Sequence, residues 1–95
     1  MPESEADFLQ SVLELAKLKG WLCFHSYDSR KSCGAGFPDL CMVRISRLVY
    51  AELKSEKGKV TTAQQEWLSA LEATGKCEVY TWKSSEVGGL MEVLK

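Results

Sequence analysis

The sequence predicts an α/β domain: a mixed central sheet flanked by helices, with elements in the order αβββαβ and a further helix at the end. Three observations lead there. Two stretches, residues 3–20 and 61–76, carry apolar residues at helical spacing and stop at glycine. Between them lie three short runs rich in aromatic and branched residues, separated by turn formers. A fourth such run, residues 77–82, follows the second helix. Ninety-five residues accommodate one domain, taken as 1–95. A core that small is modest, which makes self-association a reasonable expectation.

Taken in order, "ESEADFLQSVLELAKLKG" places Phe8, Leu9, Val12, Leu13, Leu15, Ala16 and Leu18 mostly at i, i+3, i+4, i+7. This is an amphipathic helix with Ser4 as N-cap, Glu5 in the first turn and Gly20 as the C-terminal stop. "WLCFHSY" is an aromatic-rich strand, and "DSRKSCGAG" a loop with two basic residues. "FPDLCMVRI" and "RLVYAELKS" are strands joined tightly around Ile45 to Arg47, although no Asn-Gly or Asp-Gly marks the turn. "EKGK" is a glycine turn. In "TTAQQEWLSALEATGK", Thr61 and Gln64 have the spacing of a capping box and Gly75 ends the helix. "CEVYTW" is the fourth strand. "SSEVGGLMEVLK" is a final helix started by Ser84 or Ser85, with Val87, Leu90, Met91 and Leu94 as an apolar stripe that either packs on its own sheet or faces a partner. Trp21, Trp67 and Trp82 sit on apolar faces and read as core.

Composition narrows the class. Apolar residues at 45% and charged residues at 26% are ordinary globular values and argue against a disordered chain. No apolar run approaches the roughly 20 residues that cross a bilayer, and "MPESEADF" lacks a basic-then-apolar leader pattern. A cytoplasmic protein without membrane contact is expected. Four cysteines form no CxxC pair and His25 is the single histidine, which argues against zinc and for reduced, packed thiols. A net charge of −1 is not that of a strongly basic nucleic-acid binder. Arg30, Lys31, Arg44, Arg47, Lys54, Lys57 and Lys59 nevertheless cluster in the middle of the chain, as a basic surface or simply as a solvated face.

The chemistry lies in "GFPDLCMVRISRLVYAELKSEKGK". Strand side chains alternate faces, so Glu52 and Lys54 project together. A two-residue turn at Ile45 and Ser46 pairs Val43 with Leu48, Cys41 with Tyr50, and Asp39 with Glu52. Opposed Cβ atoms stand about 5 Å apart, and two carboxylates that close repel each other unless a cation lies between them. A hard divalent ion, magnesium or manganese, suits an oxygen donor set and keeps waters for chemistry. Lys54 would then sit beside a metal-bound water. Alone, Glu-x-Lys also describes a solvated strand end, and Gly-x-Pro-Asp a plain turn; the combined spacing favours a site.

These motifs, "GFPDL", "AELK" and "KGKVTTAQQEWLSAL", with "SEADFLQSVLELAKLKGW" before and "CEVYTW" after, resemble the PD-(D/E)XK nucleases and, within them, the VRR-NUC (virus-type replication-repair nuclease) group. The resemblance implies a restriction-endonuclease-like core and a Mg2+- or Mn2+-dependent endonuclease that hydrolyses DNA to leave a 5′-phosphate. It implies that Asp39 and Glu52 ligate the metal with the carbonyl of Leu53, and that Lys54 orients or deprotonates the attacking water. Glu5 matches the family's helical acid, with Glu3 and Asp7 as competing choices. Gln64, three residues before Trp67, matches a Gln-x-x-Trp that touches the metal water or scissile phosphate; the capping box explains it without chemistry, and both roles can coexist. The loop "HSYDSRKS" matches a nucleic-acid contact, giving His25, Ser29, Arg30 and Lys31 phosphate-binding roles, with Lys57 and Lys59 beside them. His25 also reads as a packed strand-end residue. Minimal members of this group, in bacteria or in phage-infected cells, imply a homodimer acting on four-way (Holliday) junctions. A catalytically idle DNA-binding module, or a nuclease for flaps or simple duplex, stays as the alternative.

Overall fold

The computed structural model describes residues 5–25 and 35–95, the side chain of Glu5 excepted. Helix α1 (Glu5–Leu18) leads into β1 (Leu22–His25), β2 (Leu40–Arg44) and β3 (Arg47–Lys54); α2 (Thr62–Ala73) then crosses to β4 (Glu78–Lys83). A short 3-10 turn, Ser84–Glu86, opens α3 (Val87–Leu94). The sheet order is β1-β2-β3-β4, with β1, β2 and β3 antiparallel and β4 parallel to β3. The mixed sheet and the αβββαβ order expected from sequence are both present.

Local signals act as the chain chemistry requires. Gly20, at φ 86°, ends α1: its N–H reaches the carbonyl of Lys17 while that of Trp21 reaches Ala16, a Schellman closure that needs a left-handed residue. Thr61 and Gln64 form the reciprocal capping box at the start of α2. The β2 ladder begins at Leu40 rather than Phe37, because Pro38 has no N–H to give it. The proposed N-cap Ser4 lies outside the described residues.

Side-chain alternation divides the sheet. On one face Leu40, Met42, Val49, Ala51 and Leu53 pack with Phe8, Val12 and Ala16 of α1 and with Leu90 and Leu94 of α3. On the other, α2 lays Trp67 against Phe37, which also meets Tyr50, edge-on to both aromatic neighbours, and Leu68 of α2 is buried. Trp21 and Trp82 are buried as expected; Trp67 is half-buried. The terminal stripe divides in two: Leu90 and Leu94 belong to the core, while Val87 and Met91 remain exposed.

The last turn of α3 is held by a cationic clamp. Arg44 and Arg47 stack over the Trp21 ring, 4.5 and 5.0 Å from its centroid. Arg44 donates to the carbonyls of Lys19, Leu94 and Lys95, Arg47 to that of Val93, and the Trp21 indole to that of Leu94. Cations over exposed helix carbonyls favour the helix end. Arg47 also grips Glu78 through two bonds, and that guanidinium holds the Glu78 carboxyl below its ordinary range. Two of the basic residues clustered in the middle of the sequence are therefore committed to packing.

The β2–β3 turn is the two-residue one expected, and it is strained. Ile45 takes φ 55°, a left-handed conformation that a β-branched side chain resists, and its side chain is fully exposed. Ile45→Asn is expected to stabilise the fold by about 1 kcal/mol, since asparagine tolerates this region and no packing is lost; a urea unfolding midpoint measures it.

Candidate active site

At the end of the sheet where β3 emerges, α1 and α2 flank a cavity of about 500 Å³. Its walls include Asp39, Glu52, Leu53, Lys54, Gln64 and His25, with Ala6, Leu9, Gln10 and Leu13 from α1. Residues from both strands of the hairpin, the edge strand and both helices thus meet in one place.

The register explains why the two acids share the cavity. Cys41 opposes Tyr50 and Leu40 opposes Ala51, where the ladder ends; Asp39, one residue before it, and Glu52, one residue after Ala51, both line the cavity. An Asp39 carboxylate oxygen accepts the N–H of Leu53 at 2.8 Å, which ties the end of "GFPD" to the neighbouring strand. Glu52 is 1% exposed, the one buried charged residue among those described. Its Oε1 accepts from Gln64 Nε2 at 3.3 Å and lies 3.9 Å from Lys54 Nζ. A carboxylate at this depth is costly unless cations and donors compensate it.

The donor chemistry fits a hard cation. Two carboxylates line the cavity with Leu53, and oxygen-only sets of this kind suit magnesium or manganese with waters completing the shell. Among the described residues no group of three or more His, Cys, Asp or Glu is placed to hold a metal. Among the described residues Cys23, Cys41 and Cys77 are free thiols and none lines the cavity; burial pushes Cys23 and Cys41 up from their ordinary range.

The other sequence-predicted residues fall as follows. His25, half-buried at the end of β1, lines the cavity. Glu5 is the first residue of α1, one turn before the cavity-lining Leu9; its side chain lies outside the described residues, as do Glu3, Ser29, Arg30 and Lys31. Lys57 and Lys59 are exposed in the segment after β3 and do not line the cavity. Asp7 is exposed on α1 and likewise does not line it.

Two participants escaped the sequence reading. Gln10 brings a polar group to the cavity from α1, hydrogen-bonded to Glu14 at 3.1 Å; its spacing from Ala6 and Leu13 was the available signal. Gly36 is the other. It sits at φ 88°, and a Cβ there would stand 2.6 Å from the Ala63 carbonyl carbon and 2.8 Å from its oxygen. The first turn of α2 therefore lies against "GFPD" only because residue 36 has no side chain. Gly36→Ala is expected to cost at least about 2 kcal/mol through strain and backbone clash; a urea unfolding midpoint measures it.

The comparisons with known proteins agree with one another. A model of the VRR-NUC domain matches residues 4–85. A solved structure described as a VRR_NUC domain protein superposes with TM-score 0.75 at 21% identity, covering 99% of this chain and 87% of the other. A second, described as a VRR_NUC domain, gives 0.74 at 19% identity, covering 93% and 94%. No curated protein matches.

Proposed function

This chain belongs to the VRR-NUC domain family, a nuclease-type fold, and from that premise we propose that it is a metal-dependent endodeoxyribonuclease. The observation that carries the reading is the convergence of Asp39, Glu52 and Lys54 in one cavity, with a buried glutamate at its wall. Such a cluster is costly for the fold and apt for phosphodiester hydrolysis.

Asp39 and Glu52, with the carbonyl of Leu53, would hold Mg2+ or Mn2+. That ion, when bound, lowers the pKa of a water and polarises the phosphoryl oxygen. Lys54 orients the attacking water or, as the neutral amine, takes its proton, and its positive charge offsets charge developing on the phosphate. Glu5, the first residue of α1, is the choice for the family's helical acid, with Glu3 as the competing one. His25, Lys57 and Lys59, with Ser29, Arg30 and Lys31, hold backbone phosphates, contacts that carry no sequence preference.

The substrate is branched DNA of the four-way-junction kind, cut by a homodimer in a bacterial or phage-infected cell. Leu22 and Phe24 of β1 stand 76% and 65% exposed on the face away from the core, with Val43 beside them, and Val87 and Met91 are exposed on α3. Apolar surface of this extent on so small a domain supports self-association. A two-fold dimer would present two cavities to symmetry-related strands. Among the described residues no helix is long and apolar enough to cross a membrane.

A panel of four-way junctions, flaps, duplex and single strands, with magnesium, manganese or chelator, tests this. Paired symmetric nicks on junctions, abolished by chelator and weakened by salt, are expected. Equal nicking of every duplex by a species that light scattering shows to be monomeric retires the junction reading and leaves a general nuclease. No cleavage under any condition leaves an idle binding module.

A further inference from the structure

We propose that Gln64 is a positioning residue for Glu52, its amide locked by the α2 cap so that it can only present a donor to that carboxylate. The inference rests on the metal-site reading above and adds to it the device that fixes one ligand. Gln64 Oε1 accepts the backbone N–H of Thr61 at 2.8 Å, and Gln64 Nε2 lies 3.3 Å from Glu52 Oε1. The two ends of the amide are not interchangeable here. A backbone N–H can only donate, so the atom facing Thr61 is the oxygen; an ionised carboxylate can only accept, so the atom facing Glu52 is the nitrogen. Both neighbours dictate the same orientation.

The helix end is itself anchored. The Gln64 N–H is bound by the Thr61 hydroxyl, and the turn rests against Gly36 where no side chain intervenes. The cap and the chemistry are therefore one structure. Gln64 spends its oxygen on α2 and its nitrogen on Glu52, holding one carboxylate oxygen to the α2 side of the cavity. The sequence offers capping and catalysis as two readings of this residue; the geometry joins them in a single amide.

Gln64→Glu separates the roles. Glutamate serves a capping box as well as glutamine does, so the cap survives, but the donor facing Glu52 becomes a second carboxylate. Without metal the variant should melt several degrees below wild type; added Mg2+, without DNA, should raise its Tm by more than it raises that of wild type, because a cation relieves the new repulsion. Its cleavage at saturating Mg2+ should nevertheless fall at least tenfold, as Glu52 is no longer held. Gln64→Met, which adds no charge, is the second variant and covers a failure of the first to fold: it should need several-fold more Mg2+ for half-maximal cleavage, with KM for DNA unchanged. A Gln64→Glu protein identical to wild type in apo Tm, Mg2+ response and rate overturns the proposal, as does a rate loss with an unaltered Mg2+ response, which would place the amide on substrate instead. Wild-type protein whose cleavage and Tm both ignore Mg2+ overturns the metal-site reading itself, a distinct result.

Discussion

Glu52→Gln is expected to abolish cleavage, by on the order of 10³-fold or more, while leaving the fold intact. Glu52 is the buried acid of the cavity, at 1% exposure. The amide keeps its shape and can still accept from Gln64 Nε2, so packing and the Gln64 bond persist. What disappears is the charge that would bind a cation. Removing a buried charge also removes its desolvation cost, so apo Tm should be unchanged or raised, tempered by the loss of Lys54's partner at 3.9 Å. Asp39→Asn should lose activity to a similar degree but gain no stability. Asp39 is less buried, and its carboxylate takes the Leu53 N–H at 2.8 Å, a bond an amide oxygen makes more weakly. Thermal melts in chelator and in Mg2+, beside single-turnover rates, check both. Full Mg2+-dependent activity in either variant would sink the assignment.

What could be read from the sequence was whatever depends on local periodicity. The helix of residues 5–18, the ladder with Cys41 opposite Tyr50, and the capping box at Thr61 each follow from spacing within one or two elements. That Asp39 and Glu52 line one cavity was accessible for the same reason: a two-residue turn fixes register, and register fixes which side chains lie close. Less was visible where function depends on elements distant in sequence. That α1 forms one wall of the cavity, bringing Gln10, cannot be read from its own apolar stripe, because the core and the cavity occupy adjoining parts of one helix face. Gly36 looked like a turn residue; its real constraint is the backbone of Ala63, which only the tertiary fold brings near. The basic cluster stayed open between a basic surface and a solvated face, since charge counting cannot show that Arg44 and Arg47 are held by Trp21 and the carbonyls of α3.

Lys54→Ala is the other substitution with a large expected effect, and it distinguishes proton transfer from mere charge. The ammonium is mostly buried, with 12% of the side chain exposed, and its nearest described carboxylate oxygen is that of Glu52 at 3.9 Å. Truncation removes either a positive charge beside the developing phosphorane, where Lys54 is an ammonium throughout, or the acceptor of the water's proton, where it enters the step as the neutral amine. A rate loss of about 10²- to 10⁴-fold is expected, with DNA affinity in Ca2+ nearly unchanged because the contribution arises in the transition state. Apo stability should fall by roughly 1 to 3 kcal/mol, since the buried glutamate loses a partner. Lys54→Arg sharpens the result. Guanidinium restores the charge but does not give up a proton at accessible pH, so a lysine that acts by proton transfer is not rescued by it. If Lys54→Arg recovers most of the rate, Lys54 acts as a fixed cation. If Lys54→Ala cleaves normally at saturating DNA while binding weakly, it is a phosphate contact, and the water must lose its proton elsewhere.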